Sequence, residues 1–194
     1  MNKGNLQMNL CTIENLVLNK NNRLLEIGMG NGFFVKNIFE LEKSIHYIGC
    51  DFSEEMVEEA NKLNLEYIEQ GKAKFINANA DKIPFDNQTF DVVFTINTIY
   101  FWEDIKVVLT EIKRVLKREG QFVIAIRPKS IMDNFPISKY GFNTFSKTDI
   151  SQILESNGFE VVEIIEKEEE PLEFFGEKLK NEFMVVKTIL KPNH

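Results

Sequence analysis

The segment Leu24-Leu25-Glu26-Ile27-Gly28-Met29-Gly30-Asn31-Gly32-Phe33-Phe34 constrains the fold of this chain more than any other stretch. A short apolar run meets a carboxylate and then glycine at three alternate positions. Alternate glycines let the backbone turn sharply and leave no side chain between main chain and ligand. A helix-like run, Phe33 to Leu41, follows at once, so its first amide groups point into the same space. The next apolar run, Ile45 to Cys50, ends in Asp51, 23 residues after Gly28. An acidic residue at that distance, at the tip of the second strand of a βαβ unit, is placed to accept both hydroxyls of a ribose. This arrangement predicts a cofactor that carries a nucleoside.

Glycine spacing narrows the choice. A dinucleotide fingerprint is G-x-G-x-x-G, whereas here the third glycine comes one position early and Phe33 occupies the last place. Glu26 would also sit close to the negative charges of a pyrophosphate, and a cofactor with a cationic group suits it better. The pattern E-x-G-x-G-x-G resembles the first motif of class I S-adenosylmethionine-dependent methyltransferases. Another nucleoside-cofactor enzyme on the same fold stays open on the glycines alone, as an aminopropyl transferase or a nicotinamide oxidoreductase. So does a binding module without catalysis.

The resemblance continues downstream. Residues 77–93, Asn-Ala-Asn-Ala-Asp-Lys-Ile-Pro-Phe followed by a short turn and Phe90-Asp91-Val92-Val93, look like the family pattern D-A-E-x-L-P-F … F-D-x-V. By that likeness Asn79 would accept from the exocyclic amine of adenine and Ala80 would donate its amide to the ring, with Asp81 beside them. The amide oxygen of Asn79 supplies the same acceptor as the commoner aspartate. Asp51 would bind the ribose, with Phe52 and Met56 as apolar walls around the adenine. Glu26, Gly28, Met29 and Gly30 would form the cofactor-binding loop, and Asn97 would contribute its backbone beside the methionine end. Relatives of the quinone-biosynthesis type read N-x-L-H-H-x-x-D at the segment Asn97-Thr98-Ile99-Tyr100-Phe101-Trp102-Glu103-Asp104, so both histidine positions are aromatic here. Tyr100 and Trp102 are expected to line the acceptor pocket, with Tyr140 a further candidate. A ring face favours a sulfonium by about 0.5–2 kcal/mol. Tyr100, Glu103 and Tyr140 are the only available general bases, and none is assigned. The cofactor implied is S-adenosyl-L-methionine, leaving S-adenosyl-L-homocysteine, with in-line displacement onto a small-molecule acceptor.

Strand-like and helix-like runs alternate, which predicts an α/β domain with a parallel sheet and helices on both faces. Leu10 to Leu18 reads as a short amphipathic helix, Arg23 to Gly28 as the first strand, and Ser53 as the cap of a helix reaching towards Tyr67. Further strands are expected at Ala73 to Asn77, Phe90 to Ile96, Gln121 to Ile126, Phe159 to Ile165 and Glu182 to Leu190. Helices fall at Asp104 to Lys117, closed by Gly120, and at Ser146 to Ser156. The run Glu166 to Glu170 reads as a solvated strand end. The resemblance implies a Rossmann-like doubly wound sheet of seven strands in the order 3-2-1-4-5-7-6, the last antiparallel. Residues 1–194 would form one domain, 1–20 a short N-terminal helical cap and 128–145 a lid or acceptor wall.

Charge and cysteine usage bound the partners. A net charge of −7 gives no basic face for a nucleic-acid footprint, so no DNA is expected. Cys11 and Cys50 make neither a disulfide framework nor a metal pattern. No apolar run reaches ~18 residues and the first residues are polar, so a cytoplasmic protein without a membrane span is expected. The oligomeric state is not legible.

Overall fold

The computed structural model describes residues 5–133, 143–174 and 177–192. In chain order the elements are α1 (Leu6–Glu14), β1 (Arg23–Ile27), α2 (Val35–Leu41), β2 (His46–Asp51), α3 (Glu54–Leu63), α4 (Leu65–Glu69), β3 (Ala73–Asn77) and β4 (Phe90–Ile96). After a 3₁₀ turn at Ile99–Phe101 come α5 (Ile105–Val115), β5 (Leu116–Ile126), α6 (Lys129–Met132), α7 (Lys147–Ser156), β6 (Phe159–Phe174) and β7 (Glu177–Leu190). Seven strands form one sheet in the order β3-β2-β1-β4-β5-β7-β6. The first five are parallel, and β7 runs antiparallel to both β5 and β6. This is the α/β architecture expected.

Continuous apolar strands are what a sheet covered on both faces requires. Period-two alternation divides them into two cores. Leu25, Ile27, Ile48, Val93, Phe122 and Ile124 pack against α5 and α7 through Leu109, Ile112, Ile150 and Leu154. Leu24, Tyr47, Val92, Phe94 and Val123 face the other way, onto Met8 and Ile13 of α1, Ile38 and Phe39 of α2, and Ala60 of α3. Among the described residues no helix is long and apolar enough to cross a membrane.

Several boundaries differ from the sequence reading, each for a local reason. Helix α1 starts at Leu6 and stops at Glu14, where Asn15 turns its side-chain amide back onto the Cys11 carbonyl. Helix α2 begins only at Val35, and the helix capped by Ser53 breaks at Asn64 into α3 and α4. Helix α5 ends at Val115 rather than at Gly120. Gly120 lies within β5, where a Cβ would come 2.7 Å from the Leu116 side chain and 2.9 Å from the Asp91 carbonyl. It therefore permits the close approach of a bulged strand and terminates nothing. Strand β6 runs past its expected end and β7 starts before its expected beginning, and the two pair along Glu166 to Glu169. That run is not wholly solvated, because the Glu169 side chain is buried in an ion pair with Arg127 at 2.7 Å.

Candidate functional site

Strand order reverses direction at β1, whose neighbours are β2 on one side and β4 on the other. Such a switch point opens a crevice beyond the carboxyl ends of the strands. A cleft of about 790 Å³ lies there. Its walls include Glu26, Gly28, Met29, Gly30, Asp51, Phe52, Met56, Asn79, Ala80, Asp81 and Asn97, so all of the residues expected at a cofactor are brought together. Trp102 also lines it, 7% exposed.

The glycine loop is built by the backbone. Gly28, Gly30 and Gly32 have φ of 73°, 58° and 66°, left-handed values that cost other residues strain. The Gly28 amide donates to the Cys50 carbonyl at 2.7 Å, which fixes the loop to β2. Only the first two of these glycines line the cleft. A Cβ on Gly32 would instead sit 2.8 Å from Asn64 Nδ2 and 3.1 Å from Ala60 Cβ, so the third glycine serves the packing of α3. Phe33 points away from the cleft, edge-on to Phe34, and Phe34 is the ring that lines it.

Asp51 is buried at the end of β2. Its Oδ2 accepts from the Gly30 amide at 3.0 Å and its Oδ1 from the Ser53 amide at 3.0 Å. Each carboxylate oxygen retains a lone pair for a further donor. Ser53 in turn caps α3, its hydroxyl accepting from the Met56 amide at 3.3 Å. Asn77 donates to the carbonyls of Asp51 and Phe52, holding the β2 and β3 ends together above the cleft.

Glu26 is 7% exposed, and the hydroxyl of Tyr47 donates to its Oε2 at 2.5 Å. Burial drives its pKa up to about 7, the Tyr47 hydrogen bond opposes this, and the nearby Asp51 charge adds to it. Such a carboxylate gains from a cationic neighbour. Asn97 has φ of 62°, and its Oδ1 is buried without a hydrogen-bond partner. A buried acceptor left unmatched is costly and fits a site that a donor completes. The residues thus suit a ligand that carries hydroxyls and a cation. Carboxylates on the wall are Glu26, Asp51, Asp81, Glu103 and Asp104, and no Lys or Arg lines it among the described residues.

One expected pocket residue, Tyr100, falls elsewhere. The 3₁₀ turn directs Tyr100 inward, 4% exposed, where its hydroxyl accepts from the Arg127 amide at 2.6 Å and donates to the Arg127 carbonyl at 3.1 Å. Burial raises the Tyr100 pKa far above its ordinary value, so it is a poor base. Phe101, next along the turn, is the ring presented to the cleft. Tyr140 lies outside the described residues, as do residues 134–142 of the expected lid. Cys50 is buried with its thiol pushed up to about 12. Among the described residues no group of three or more His, Cys, Asp or Glu is placed to hold a metal. Sequence reasoning missed Asn5, which precedes α1, and Asn9 within it, which reach the cleft only through tertiary packing. It also missed Tyr47, whose signal was available: it precedes by two residues the glycine paired with Glu26.

Comparison with known proteins points to one family. A family described as methyltransferase domain matches residues 25–124. YrhH of Bacillus subtilis (strain 168) is 34% identical over 114 residues, 59% of this chain and 62% of that protein. The ubiquinone/menaquinone biosynthesis C-methyltransferase UbiE of Rickettsia prowazekii is 32% identical over 149 residues, 72% of this chain and 58% of that protein. The chain thus spans less than two thirds of either relative. Among solved structures, a Haloferax volcanii chain from a complex with the Trm112 methyltransferase activator superposes with a TM-score of 0.82 at 18% identity, covering 98% of this chain and 94% of that one.

Proposed function

The chain belongs to the methyltransferase-domain family, whose cofactor is S-adenosyl-L-methionine, and on that premise we propose that it methylates a small neutral or cationic acceptor by in-line displacement. What supports the reading is one observation: the glycine loop, Asp51, the Asn79–Asp81 segment and Asn97 all face a single cleft at the sheet's switch point. When bound, the cofactor would supply a sulfonium methyl group whose leaving group, a neutral thioether, needs no protonation.

The chain's own residues bind, orient and exclude water. In this reading Asp51 receives the ribose hydroxyls, Asn79 and Ala80 the adenine edge, and Phe52 and Met56 its faces. Met29 and the Gly28 and Gly30 backbone bound the methionine end, Glu26 offsets its positive charge, and Asn97 meets a donor there. Asp81 stands at the adenine rim. Helix α1 and the residue before it cap the cleft through Asn9 and Asn5. Trp102 and Phe101 wall the acceptor side and keep water out, so that proximity supplies much of the rate, about 7–11 kcal/mol in well-oriented cases. Tyr100 is sealed in the core and leaves Glu103 as the candidate base on the described wall; no base is assigned, and the acceptor is one already nucleophilic, such as a neutral amine. Five wall carboxylates with no cation among the described residues disfavour a phosphate or carboxylate beside the accepting atom.

Calorimetry with S-adenosyl-L-homocysteine tests the site. Asp51→Ala should weaken binding by about 1–3 kcal/mol, the cost of leaving paired hydroxyls unmatched. Unchanged affinity removes Asp51 from the site. Transfer of labelled methyl to a panel of matched acceptors should favour amines over their phosphorylated or carboxylated analogues, and the reverse order overturns the assignment of acceptor class.

A further inference from the structure

We propose that Tyr47 is a positioning residue, holding the Glu26 carboxylate in the cleft wall as a fixed acceptor for the positive end of the ligand. The inference deepens the reading of the cleft as a cofactor site and rests on it.

Glu26 and Tyr47 stand on adjacent parallel strands, with Leu24 paired to Tyr47 and Glu26 to Gly49. Residues two apart on a strand share a face, so Tyr47, Gly49 and Glu26 lie on one side of the sheet. Gly49 leaves the space between them open. A Cβ there would come 2.9 Å from the Tyr47 hydroxyl and 2.9 Å from Met29 Sδ. The phenol therefore crosses above Gly49 to reach Glu26 Oε2 at 2.5 Å. Tyr47 is 1% exposed and its ring tilts against Phe75 at 5.8 Å. Packing alone would be met by phenylalanine. A buried hydroxyl is costly unless satisfied, and Glu26 is the partner that satisfies this one. The bond to an ionised carboxylate is charge-assisted, so it also holds the group in its charged form. It engages one oxygen only; among the described residues Oε1 receives no hydrogen bond from the protein.

The test uses the full chain, the Tyr47→Phe and Glu26→Gln variants and their double variant, with affinity for S-adenosyl-L-homocysteine measured between pH 5.5 and 9. That compound keeps the ammonium group. Tyr47→Phe should weaken binding ~5–10-fold near pH 7 and move the pH of half-maximal affinity upward. In the Glu26→Gln background the Tyr47 substitution should add nothing, as a shared interaction requires. An unmoved pH profile, or an undiminished Tyr47→Phe effect in the double variant, overturns the proposal by making Tyr47 a packing residue. A Glu26→Gln protein that binds as the parent does also overturns it, through the Glu26 contact. Carboxyl ¹³C titration of Glu26 in the ligand-free protein is independent of any ligand. Both Tyr47→Phe and Gly49→Ala, whose Cβ would displace the phenol, should raise the Glu26 midpoint, and an unchanged midpoint in either refutes the contact. A parent chain with no affinity for S-adenosyl-L-homocysteine strikes the proposed function, while this titration still decides the Tyr47 contact.

Discussion

Glu26 shows how one residue's burial carries a pH dependence for the whole protein. Its folded pKa of about 7 lies above the ordinary 4.5, chiefly because burial disfavours the charged form. A carboxyl whose pKa is raised on folding contributes stability that is complete below about 4.5 and is lost as pH rises through about 7. The ligand-free chain thus carries an uncompensated buried charge above neutrality, which a cationic ligand offsets. The stabilisation conferred by saturating S-adenosyl-L-homocysteine should therefore be larger at pH 8 than at pH 5.5, by about 1–3 kcal/mol, and Glu26→Gln should flatten the difference. Differential scanning fluorimetry across that range reads it directly. A ligand shift that is constant, or greater in acid, would dissociate Glu26 from the ligand.

At the level of elements, glycines with similar dihedrals do different work. Gly32 and Gly71 have φ of 66° and 69°, yet a Cβ at 32 meets Asn64, Ala60 and Phe75 while a Cβ at 71 meets nothing within 4 Å. Gly71→Ala should cost about 1–2 kcal/mol, the left-handed strain alone. Gly32→Ala should cost about 1–3 kcal/mol more because α3 must move off the loop. Equal urea-unfolding losses for the two would deny Gly32 its packing role. The same distinction explains what the sequence made legible. Strands β3 and β4 are found at the expected bounds, since their apolar runs end in polar turn residues. That the residues expected at a cofactor meet in one cleft was legible too, because they follow strand ends within a few positions. Gly120 was misread as a helix stop because close approach to Asp91 exists only after β5 docks on β4. Charged residues 166–169 join the sheet by pairing with residues 184–181 of β7, partners that sequence-local patterning does not reveal. Tyr100 and Phe101 exchange inside for outside because a 3₁₀ turn rotates successive residues by about 120°, which composition cannot reveal.

Across the whole molecule, the crevice at β1 is only as firm as the tie between the parallel half of the sheet and its antiparallel edge. Arg127 follows β5, Glu169 lies on β6, and Asn181 of β7 stands opposite Glu169 in the pairing register. The guanidinium meets the Glu169 carboxylate at 2.7 Å, donates to the Asn181 side chain, and reaches Asn5 before α1 at 3.4 Å. One buried polar centre thereby links three strands and the helix that covers the cleft. Arg127 and Glu169 are 6% and 7% exposed at their side chains, so solvent screening does little to weaken the pair. Exposed pairs such as Lys62 with Glu58, at 76% and 72%, are worth no more than about 1 kcal/mol. Removing one partner of a buried pair costs about 3–5 kcal/mol because the other charge stays desolvated. Glu169→Ala should lose that amount in urea unfolding, a large share of the ~5–15 kcal/mol typical of a domain. Replacing both partners by apolar residues of similar volume should restore most of it. Neither residue lines the cleft, so folded Glu169→Ala should keep its affinity for S-adenosyl-L-homocysteine within a few-fold. A loss below about 0.5 kcal/mol would place this pair with the surface ones, and the hairpin would then be held to the sheet by its backbone ladder and by its apolar residues on both faces, Phe183 and Val185 on one and Phe159, Met184 and Val186 on the other.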